Sequence, residues 1–280
     1  FLNALRNKAR IAAPKQEKSV EDVMVEKALK EQRNGFKILL TEDNPVNQKV
    51  AIKILTQAGF TMEAASNGLE AVNKIASSDS YNLILMDIQM PEMDGFTATQ
   101  KIRAMNNYGA KIPIIAMTAH AMQGDKDKCI AAGMNDYISK PIRTKELLAL
   151  IDKWLSVKAT TDVKEETPVV EIKSDVFDKN HFSEVSLDDP EFQKDLLSTY
   201  LDDTEKRIQN LGNEIKESNI ERVKIESHTI KGASYSIGFK QMGDIAKEIE
   251  FASKQNDLST IVEQFPSLLN AFKNAREAAE

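Results

Sequence analysis

Five side chains in the first half of the chain have the chemistry that phosphoryl transfer requires: Glu42, Asp43, Asp87, Thr118 and Lys140. Three carboxylates brought together repel one another unless a cation lies among them. Oxygen ligands that leave room for water and a phosphoryl oxygen suit Mg²⁺. Asp87 could then be a nucleophile that forms an acyl phosphate, while Thr118 and Lys140 hold the phosphoryl oxygens. Acidic residues are also common in loops, so this prediction requires a fold that brings all five together.

A second candidate group is His228, in a helix-like stretch of the second half. At 100° per residue, the apolar stripe of this stretch is centred about 130° from His228, so the imidazole is expected to point to solvent. Lys231 and Gly232 follow within about one turn. Glycine inside a helix costs up to about 1 kcal/mol relative to alanine, so Gly232 indicates that space beside the imidazole is needed. The pattern predicts a phosphohistidine site with Lys231 as counter-charge; a histidine on an ordinary solvated face is the alternative.

The five candidate side chains of the first half follow segments whose composition is typical of β-strands. Three of these segments are continuous apolar runs, as in parallel strands buried on both faces, and two are less apolar, as edge strands would be. Amphipathic, helix-like segments alternate with them. This order predicts a doubly wound α/β fold with a five-stranded parallel sheet, whose ligands bind at the carboxyl ends of the strands. The strands are expected at Ile38–Leu40, Thr61–Ala65, Leu83–Met86, Ile112–Met117 and Tyr137–Ser139.

The second half has no strand signal and contains four amphipathic stripes at helical spacing. Asp188-Asp189-Pro190 is a helix start signal before the first stripe. Four such helices with short connections predict an antiparallel four-helix bundle. The stripes begin at Phe192, Ile220, Met242 and Leu258 and end at Ile215, Ile237, Ala252 and Phe272.

Composition divides the chain into four parts. Residues 159–175 have no aromatic residue and too little apolar material to offset the entropy of ordering, so they are expected to be a flexible acidic linker. Residues 1–35 are expected to be the tail of an upstream region. The predicted domains are therefore residues 36–158 and residues 176–280, the second with 13 basic and 20 acidic side chains.

Several classes of protein are excluded by composition. The net charge of −6 gives no support to nucleic-acid binding, and no apolar run is long enough for a membrane span. Cys129 is the one cysteine, so an internal disulfide is impossible and a reducing, cytoplasmic compartment is expected. The chain starts at Phe1 without a methionine or a signal peptide, so we expect it to be a piece of a longer polypeptide, whose remainder could be membrane-anchored.

The first domain closely resembles a response-regulator receiver domain of the flavodoxin-like fold. The matching strings are ILLTEDNPVN at residues 38–47, MDIQMPEMDG at 86–95, AMTA at 116–119 and SKP at 139–141. The resemblance implies that Asp87 is the phosphoacceptor. It also implies that Mg²⁺ is held by Asp43, Asp87 and the backbone carbonyl of Gln89, with Glu42 acting through water.

The same resemblance implies a conformational switch and a cis peptide. Thr118 and Tyr137 stand where the family has a threonine and an aromatic residue that move together, although the residues alone favour a half-buried aromatic on an edge strand for Tyr137. The peptide between Lys140 and Pro141 is expected to be cis, a form essentially restricted to X–Pro bonds. A haloacid-dehalogenase-type phosphatase is a rival for an aspartate nucleophile, but it would need an acid where this chain has Gln89.

The second domain resembles the histidine-containing phosphotransfer (HPt) domain, through the string HTIKGAS at residues 228–234. The resemblance implies that His228 is a phosphoacceptor and that Glu250, on the next helix, hydrogen-bonds its imidazole. Lys254 matches a second basic residue that some members carry. The dimerisation helix of a histidine kinase is the competing interpretation, but that motif has an acidic residue directly after the histidine, where this chain has Thr229.

Together the two resemblances describe the C-terminal region of a hybrid sensor histidine kinase that works in a phosphorelay. Asp87 would take a phosphoryl group from an upstream kinase histidine, in cis or in trans, and His228 would pass it to a downstream response-regulator receiver. The chain has no Gly-rich phosphate loop, so we expect a phosphotransfer module without its own ATP site, in a parent protein that is a histidine kinase. The alternatives are a scaffold whose phosphorylation is vestigial and a sink that drains phosphate backwards.

Overall fold

The structure is a computed structural model that describes residues 20–118, 123–157 and 176–279. The predicted linker, residues 159–175, lies outside the described residues, as do residues 1–19 of the predicted tail. The described parts form an α/β domain followed by a helical domain.

The first domain is built on a five-stranded sheet in which all neighbouring strands are parallel. The strand order is β2-β1-β3-β4-β5, so the three most apolar strands are central, as the sequence predicted. Their side chains are almost wholly buried, because both faces of the sheet are covered by helices. The strands are β1 (Lys37–Thr41), β2 (Thr61–Ala65), β3 (Leu83–Asp87), β4 (Ile114–Thr118) and β5 (Asp136–Ser139).

Within the described residues, six α-helices belong to this domain. Two of them, α2 and α6, pack on the sheet face lined by Leu40, Leu85 and Ile115, and α3, α4 and α5 supply the core on the other face. The predicted doubly wound fold is therefore confirmed. The helices are α1 (Val20–Arg33), α2 (Pro45–Gln57), α3 (Gly68–Ser77), α4 (Gly95–Arg103), α5 (Gln123–Ala131) and α6 (Thr144–Leu155).

Helix α1 precedes the sheet and is attached to it by its last residue. The Arg33 guanidinium is buried and makes a two-pronged ion pair with Asp152 of α6, with nitrogen–oxygen distances of 2.9 and 2.5 Å. It also lies over the ring of Phe60, 5.4 Å from the ring centre. A helix that is otherwise mostly polar is thus held against the domain through one buried charge pair.

The second domain contains four long helices and one short one. Its core includes stacked rings of Tyr200 and Phe239, whose centres are 4.9 Å apart, and the Tyr200 hydroxyl is hydrogen-bonded to Ser234. The predicted helical bundle is confirmed, and no helix within the described residues is long and apolar enough to cross a membrane. The helices are α7 (Lys179–Ser186), α8 (Pro190–Lys216), α9 (Ile220–Ile237), α10 (Lys240–Lys254) and α11 (Leu258–Ala279).

The two domains are in contact through α2. This helix packs against α7, α8 and α9 of the bundle, so the amino end of α2, next to the carboxyl ends of β1 and β3, faces the middle of α9. Asn44 is the N-cap of α2, and its side-chain amide approaches the backbone oxygen of Thr229 on α9 at 3.4 Å. The contact brings the edge of the sheet that carries the acidic side chains toward His228.

Candidate phosphotransfer site

The three predicted carboxylates meet at the carboxyl edge of the sheet. Glu42 and Asp43 follow β1, and Asp87 is the last residue of the neighbouring strand β3. Each contributes a carboxylate oxygen, and these oxygens all lie within 4.8 Å of one another. Glu42 and Asp87 are buried, with 1% and 4% of their surfaces exposed. The structure therefore places these predicted site residues in one cluster.

Lys140 supplies the positive charge of this cluster. It follows β5, and the peptide that joins it to Pro141 is cis, as the sequence predicted. Its Nζ lies 2.6 Å from a Glu42 oxygen and 2.6 Å from an Asp87 oxygen. Burial alone would lower the pKa of Lys140, but the nearby charges of Asp87 and Glu42 overcome that effect and raise it. The side chain is therefore a permanent ammonium.

One ammonium does not balance three carboxylates. Burial, together with the nearby Glu42, raises the pKa of Asp43 to about 6. Burial also raises the pKa of Asp87 to about 7, since the attraction of Lys140 only partly offsets it and Glu42 adds repulsion. A divalent cation would remove this excess negative charge, and all-oxygen ligands are those that Mg²⁺ prefers. The three carboxylates therefore fit a magnesium ion.

The remaining predicted receiver residues lie around this cluster. Thr118 is buried at the end of β4, and its backbone oxygen accepts a hydrogen bond from the Lys140 amide at 2.7 Å. Gln89 is exposed two residues after Asp87, and its amide approaches an Asp87 oxygen at 3.4 Å. Tyr137 is half-buried on the edge strand β5 with the Lys126 ammonium 5.7 Å from its ring centre, so the structure gathers Thr118 and Gln89 more closely than Tyr137.

His228 lies on α9 and is held by a carboxylate of α10. Its Nδ1 is 3.2 Å from an oxygen of Glu250, which is 2% exposed. The same carboxylate accepts hydrogen bonds from Lys231 at 2.5 Å and from Lys254 at 2.6 Å. Burial would raise the pKa of Glu250, but His228 and Lys231 outweigh it and the pKa is lowered. Glu250 is therefore an anion that joins one imidazole and two ammonium groups.

This arrangement defines which nitrogen of His228 is reactive. The carboxylate of Glu250 can only accept a hydrogen bond, which favours the tautomer with the proton on Nδ1 and the lone pair on Nε2. Burial lowers the pKa of His228 although Glu250 opposes the shift, so the imidazole is neutral at pH 7. Lys231 stands 3.3 Å from Nδ1. A neutral imidazole with a free Nε2 and an adjacent ammonium can accept a phosphoryl group.

Both clusters open into one cavity between the domains, with a volume of about 810 Å³. Asp87 and Lys140 line it from the sheet side, and His228 and Lys231 line it from the bundle side. His228 faces away from the bundle core, but the prediction that it points to solvent is wrong: its side chain is 17% exposed, because the surface it faces is that of the first domain.

Two residues of this interface escaped sequence analysis, Asn44 and Asn47. Asn47 donates a hydrogen bond to Glu42 at 2.8 Å, and its side-chain nitrogen would lie 3.7 Å from a β-carbon placed on Gly232. Asn47 of the first domain thus lies within contact distance of any side chain placed at position 232. An asparagine before a proline indicates a helix N-cap at Asn44, but no sequence pattern tells that the same helix end contacts a second domain.

Comparison with known families agrees with both halves of the structure. The model of the response regulator receiver domain matches residues 38–152, and the model of the Hpt domain matches residues 195–278. The chain therefore contains two domains of known families. It joins a receiver domain of the response-regulator family to a domain of the Hpt family.

The relatives of this chain are larger proteins. The hybrid signal transduction histidine kinase G of Dictyostelium discoideum is 46% identical over 121 residues, which are 42% of this chain and 4% of that protein. The sensor histidine kinase GacS of Pseudomonas protegens is 30% identical over 230 residues, which are 79% of this chain and 24% of that protein. The chain thus spans a quarter or less of the length of these kinases.

A solved structure is similar to the first domain. It is the receiver domain of a sensor histidine kinase from Pseudomonas aeruginosa, described with a magnesium ion coordinated in its active-site cleft. Its sequence is 44% identical to this chain, and the match covers 44% of this chain and 98% of that domain with a TM-score of 0.41.

Proposed function

We propose that Asp87 accepts a phosphoryl group and transfers it to His228 within the same chain, and that His228 then passes it to another receiver. One observation carries the proposal: Asp87 and His228 line the same cavity from opposite sides. Two phosphoacceptors that line one cavity can exchange a phosphoryl group without a large domain movement, since positioning is the main source of catalysis in such transfers.

The first step loads Asp87. An Asp87 carboxylate oxygen attacks the phosphorus of an incoming phosphohistidine, the phosphorus–nitrogen bond breaks, and the donor imidazole leaves with the electron pair. Lys140, which already contacts Asp87 at 2.6 Å, is placed to neutralise charge on the phosphoryl oxygens. Thr118 would donate its hydroxyl to one of those oxygens, and Tyr137 would follow the threonine as the switch aromatic.

The metal requirement of this step is also a proposal. Asp43 and Asp87 would hold Mg²⁺ directly together with the Gln89 backbone carbonyl, and Glu42 would act through water. When bound, the ion would supply positive charge to the phosphoryl oxygens during transfer. The residues themselves contribute the three clustered carboxylates and the ammonium of Lys140, which leave an excess of negative charge for a cation to balance.

The second step moves the group to His228. The lone pair of Nε2 attacks the phosphorus of the acyl phosphate, a phosphorus–nitrogen bond forms, and the bond to the Asp87 oxygen breaks, which restores the carboxylate. Glu250 accepts the Nδ1 proton in its hydrogen bond and so stabilises the positive imidazole that develops. Lys231 lies 3.3 Å from Nδ1, so its ammonium adds positive charge beside the ring that receives the phosphate.

The partners follow from the same scheme. A histidine kinase domain, upstream in cis or in trans, supplies the phosphoryl group, and the receiver of a separate response regulator takes it from His228. We infer that the chain serves as the receiver and HPt region of a hybrid sensor histidine kinase in the cytoplasm. The kinase activity belongs to that larger protein, because neither step described above uses ATP.

The test is chemical labelling of the full chain with acetyl phosphate and Mg²⁺. Wild type should acquire an alkali-labile acyl phosphate and then an acid-labile phosphohistidine. Asp87→Asn should lose both labels and His228→Gln only the second. Asp94→Asn and His181→Gln are the matched controls; Asp94 caps α4 and an asparagine keeps that cap. Label retained by Asp87→Asn would contradict the first step.

Mixing the two variants separates transfer within a chain from transfer between chains. If transfer occurs in cis, wild type forms phosphohistidine at a rate that does not depend on protein concentration, while a mixture of Asp87→Asn and His228→Gln chains forms it slowly. Equal rates in the two samples would contradict transfer in cis. Acyl phosphate on wild type without any phosphohistidine would favour the scaffold interpretation.

A further inference from the structure

The receiver rests on the bundle through two ion pairs that lie outside the phosphotransfer site. Lys49 of α2 contacts Asp195 of α8 at 2.5 Å, and Lys53, one turn later, contacts Asp189 at 2.6 Å. Residues four apart lie on the same face of a helix, so the two ammonium groups form one basic edge of α2. This edge faces two carboxylates at the start of α8, the N-cap Asp189 and Asp195, which are six residues apart.

The second pair is held more firmly than a typical surface ion pair. Asp189 is the N-cap of α8 and accepts hydrogen bonds from the amides of Glu191 and Phe192 at 3.1 Å. The Lys53 ammonium also lies 5.0 Å from the centre of the Phe192 ring, within the range of a cation–π contact. The Asp189 carboxylate and the Phe192 ring are therefore held in position on the bundle before Lys53 binds to them.

The charges around these pairs are one-sided. Helix α2 carries Lys49 and Lys53 and no acidic residue over Pro45–Gln57. The opposing segment, residues 188–195, carries four carboxylates and a single lysine. Complementary charges across an interface set partner choice and the rate of encounter more than they set the final affinity.

We propose that Asp189, Phe192 and Asp195 form an acidic docking edge that selects this chain's own receiver by recognising Lys49 and Lys53. The proposal rests on the transfer from Asp87 to His228 and adds the residues that give this transfer its partner specificity. They act by positioning the receiver, since neither lysine and neither aspartate lines the cavity that holds the two phosphoacceptors.

A charge exchange in the full chain tests the first pair. The measured quantity is the first-order rate at which label moves from Asp87 to His228 after brief loading with acetyl phosphate. Lys49→Glu and Asp195→Lys should each lower this rate roughly five- to tenfold, because an attraction becomes a repulsion across a partly exposed pair. The chain with both substitutions should recover to within about twofold of wild type, since the reversed pair attracts again.

Two controls carry the same change of charge elsewhere. Lys101→Glu lies on an exposed face of α4, and Glu263→Lys lies on an exposed face of α11. Both should transfer at the wild-type rate. The docking edge is refuted if the single variants transfer as fast as wild type, if the double exchange is no faster than the slower single variant, or if the controls slow transfer equally.

The second pair is tested without disturbing the helix cap. Asp189→Asn removes the charge but keeps an N-cap residue, and Lys53→Ala removes its partner. Each should slow transfer about threefold, and the double variant should be no slower than either single one, because both remove the same contact. Additive losses would contradict a direct contact.

Failure of the docking proposal can be distinguished from failure of the proposed transfer from Asp87 to His228. If transfer in cis does not occur, wild type itself shows either no phosphohistidine or phosphohistidine that forms at a rate dependent on protein concentration, and the rates of the variants are then not compared. Loading of Asp87 and the thermal unfolding of each variant are measured in the same samples. If a variant is loaded as fully as wild type and unfolds at the same temperature but transfers slowly, its defect lies in docking.

Discussion

Gly232 of the bundle lies directly against Asn47 of the receiver. A β-carbon at position 232 would come within 3.7 Å of the Asn47 side-chain nitrogen, and that nitrogen donates to Glu42 at 2.8 Å. The one helical glycine near His228 therefore marks the place where the receiver approaches the bundle, and it connects the phosphohistidine site to the acidic cluster through a single asparagine.

This contact predicts a sharp dependence on side-chain size at position 232. Gly232→Ala should keep transfer near the wild-type rate, because 3.7 Å is an ordinary contact distance, and should stabilise α9 by up to about 1 kcal/mol. Gly232→Gln should slow transfer at least tenfold, since a misplacement of about 1 Å can cost a hundredfold. Labelling rates and circular dichroism melting test both. Wild-type transfer by the glutamine variant would show that the approach is not required.

Lys140 is predicted to control the ionisation of Asp87. In Lys140→Met the pKa of Asp87 should rise further above about 7, because the ammonium that lowers it is gone while burial remains. Labelling by acetyl phosphate at pH 7 should fall by roughly a hundredfold or more. The pH at which labelling is half-maximal should also move upward. Lys101→Met, an exposed lysine on α4, is the control and should label normally.

Magnesium should stabilise the receiver more at high pH than at low pH. The pKa values of Asp43 and Asp87 are raised to about 6 and about 7, above an unfolded value of about 3.9, so folding stability is lost as pH rises through them. At a concentration of one hundred times its dissociation constant at pH 8, Mg²⁺ should add about 2.7 kcal/mol. At pH 5.5 protons compete and most of this gain should disappear.

Fluorescence of Trp154 measures this effect, because the one tryptophan of the chain lies in α6 of the receiver. Asp43→Asn provides the comparison and should show little response to Mg²⁺ at either pH. An equal rise in unfolding temperature at pH 5.5 and pH 8 would contradict the assignment of these carboxylates as ligands.

Glu250 is predicted to keep His228 more basic than burial alone would allow. Burial lowers the pKa of His228 and Glu250 raises it, so Glu250→Gln should lower the pKa further. Phosphohistidine formation should slow about tenfold, because the developing positive charge on the ring loses its counter-charge. Titration of the imidazole by NMR gives the pKa directly. Glu248→Gln, an exposed carboxylate on the same helix, should leave the titration unchanged.

The ion pair between Arg33 and Asp152 should contribute strongly to holding α1 on the receiver. The two side chains are 7% and 11% exposed, so removing one partner leaves a buried charge without compensation. Arg33→Met or Asp152→Asn should each destabilise the receiver by about 3–5 kcal/mol, and the double variant by much less than their sum. Trp154 fluorescence during urea unfolding measures the three values. Additivity would show that the two charges do not interact.

Much of the fold could be predicted because it depends on local patterns. The apolar runs at Leu83–Met86 and Ile112–Met117 have the composition of buried parallel strands, and the carboxyl ends of such strands necessarily share one edge. This reasoning was enough to bring Asp87 and Lys140 together. Helix α7, by contrast, was missed, because its eight residues bury only Phe182 and Val185 as apolar side chains, too few for a periodic signal.

The contact between the domains could not be predicted from the sequence. Periodicity tells which face of a helix covers its own core, and it correctly turned His228 away from the bundle, but it gives no information about a second domain. Lys49 and Asp195 are 146 residues apart and belong to two faces that each look solvated in isolation. Likewise, Gly232 indicated that space was needed but not that Asn47 of the first domain would approach it.

The position of His228 beneath the receiver has a kinetic consequence. The same imidazole must face Asp87 of this chain to accept the phosphoryl group and another receiver to pass it on. When this chain's receiver is bound to the bundle, it already covers the face of α9 around Gly232. The two half-reactions should therefore alternate as in a ping-pong mechanism. When the phosphate donor is saturating, the release of this chain's own receiver from the bundle should limit the rate at which His228 phosphorylates the second receiver. Raising the concentration of that second receiver should not increase this rate further.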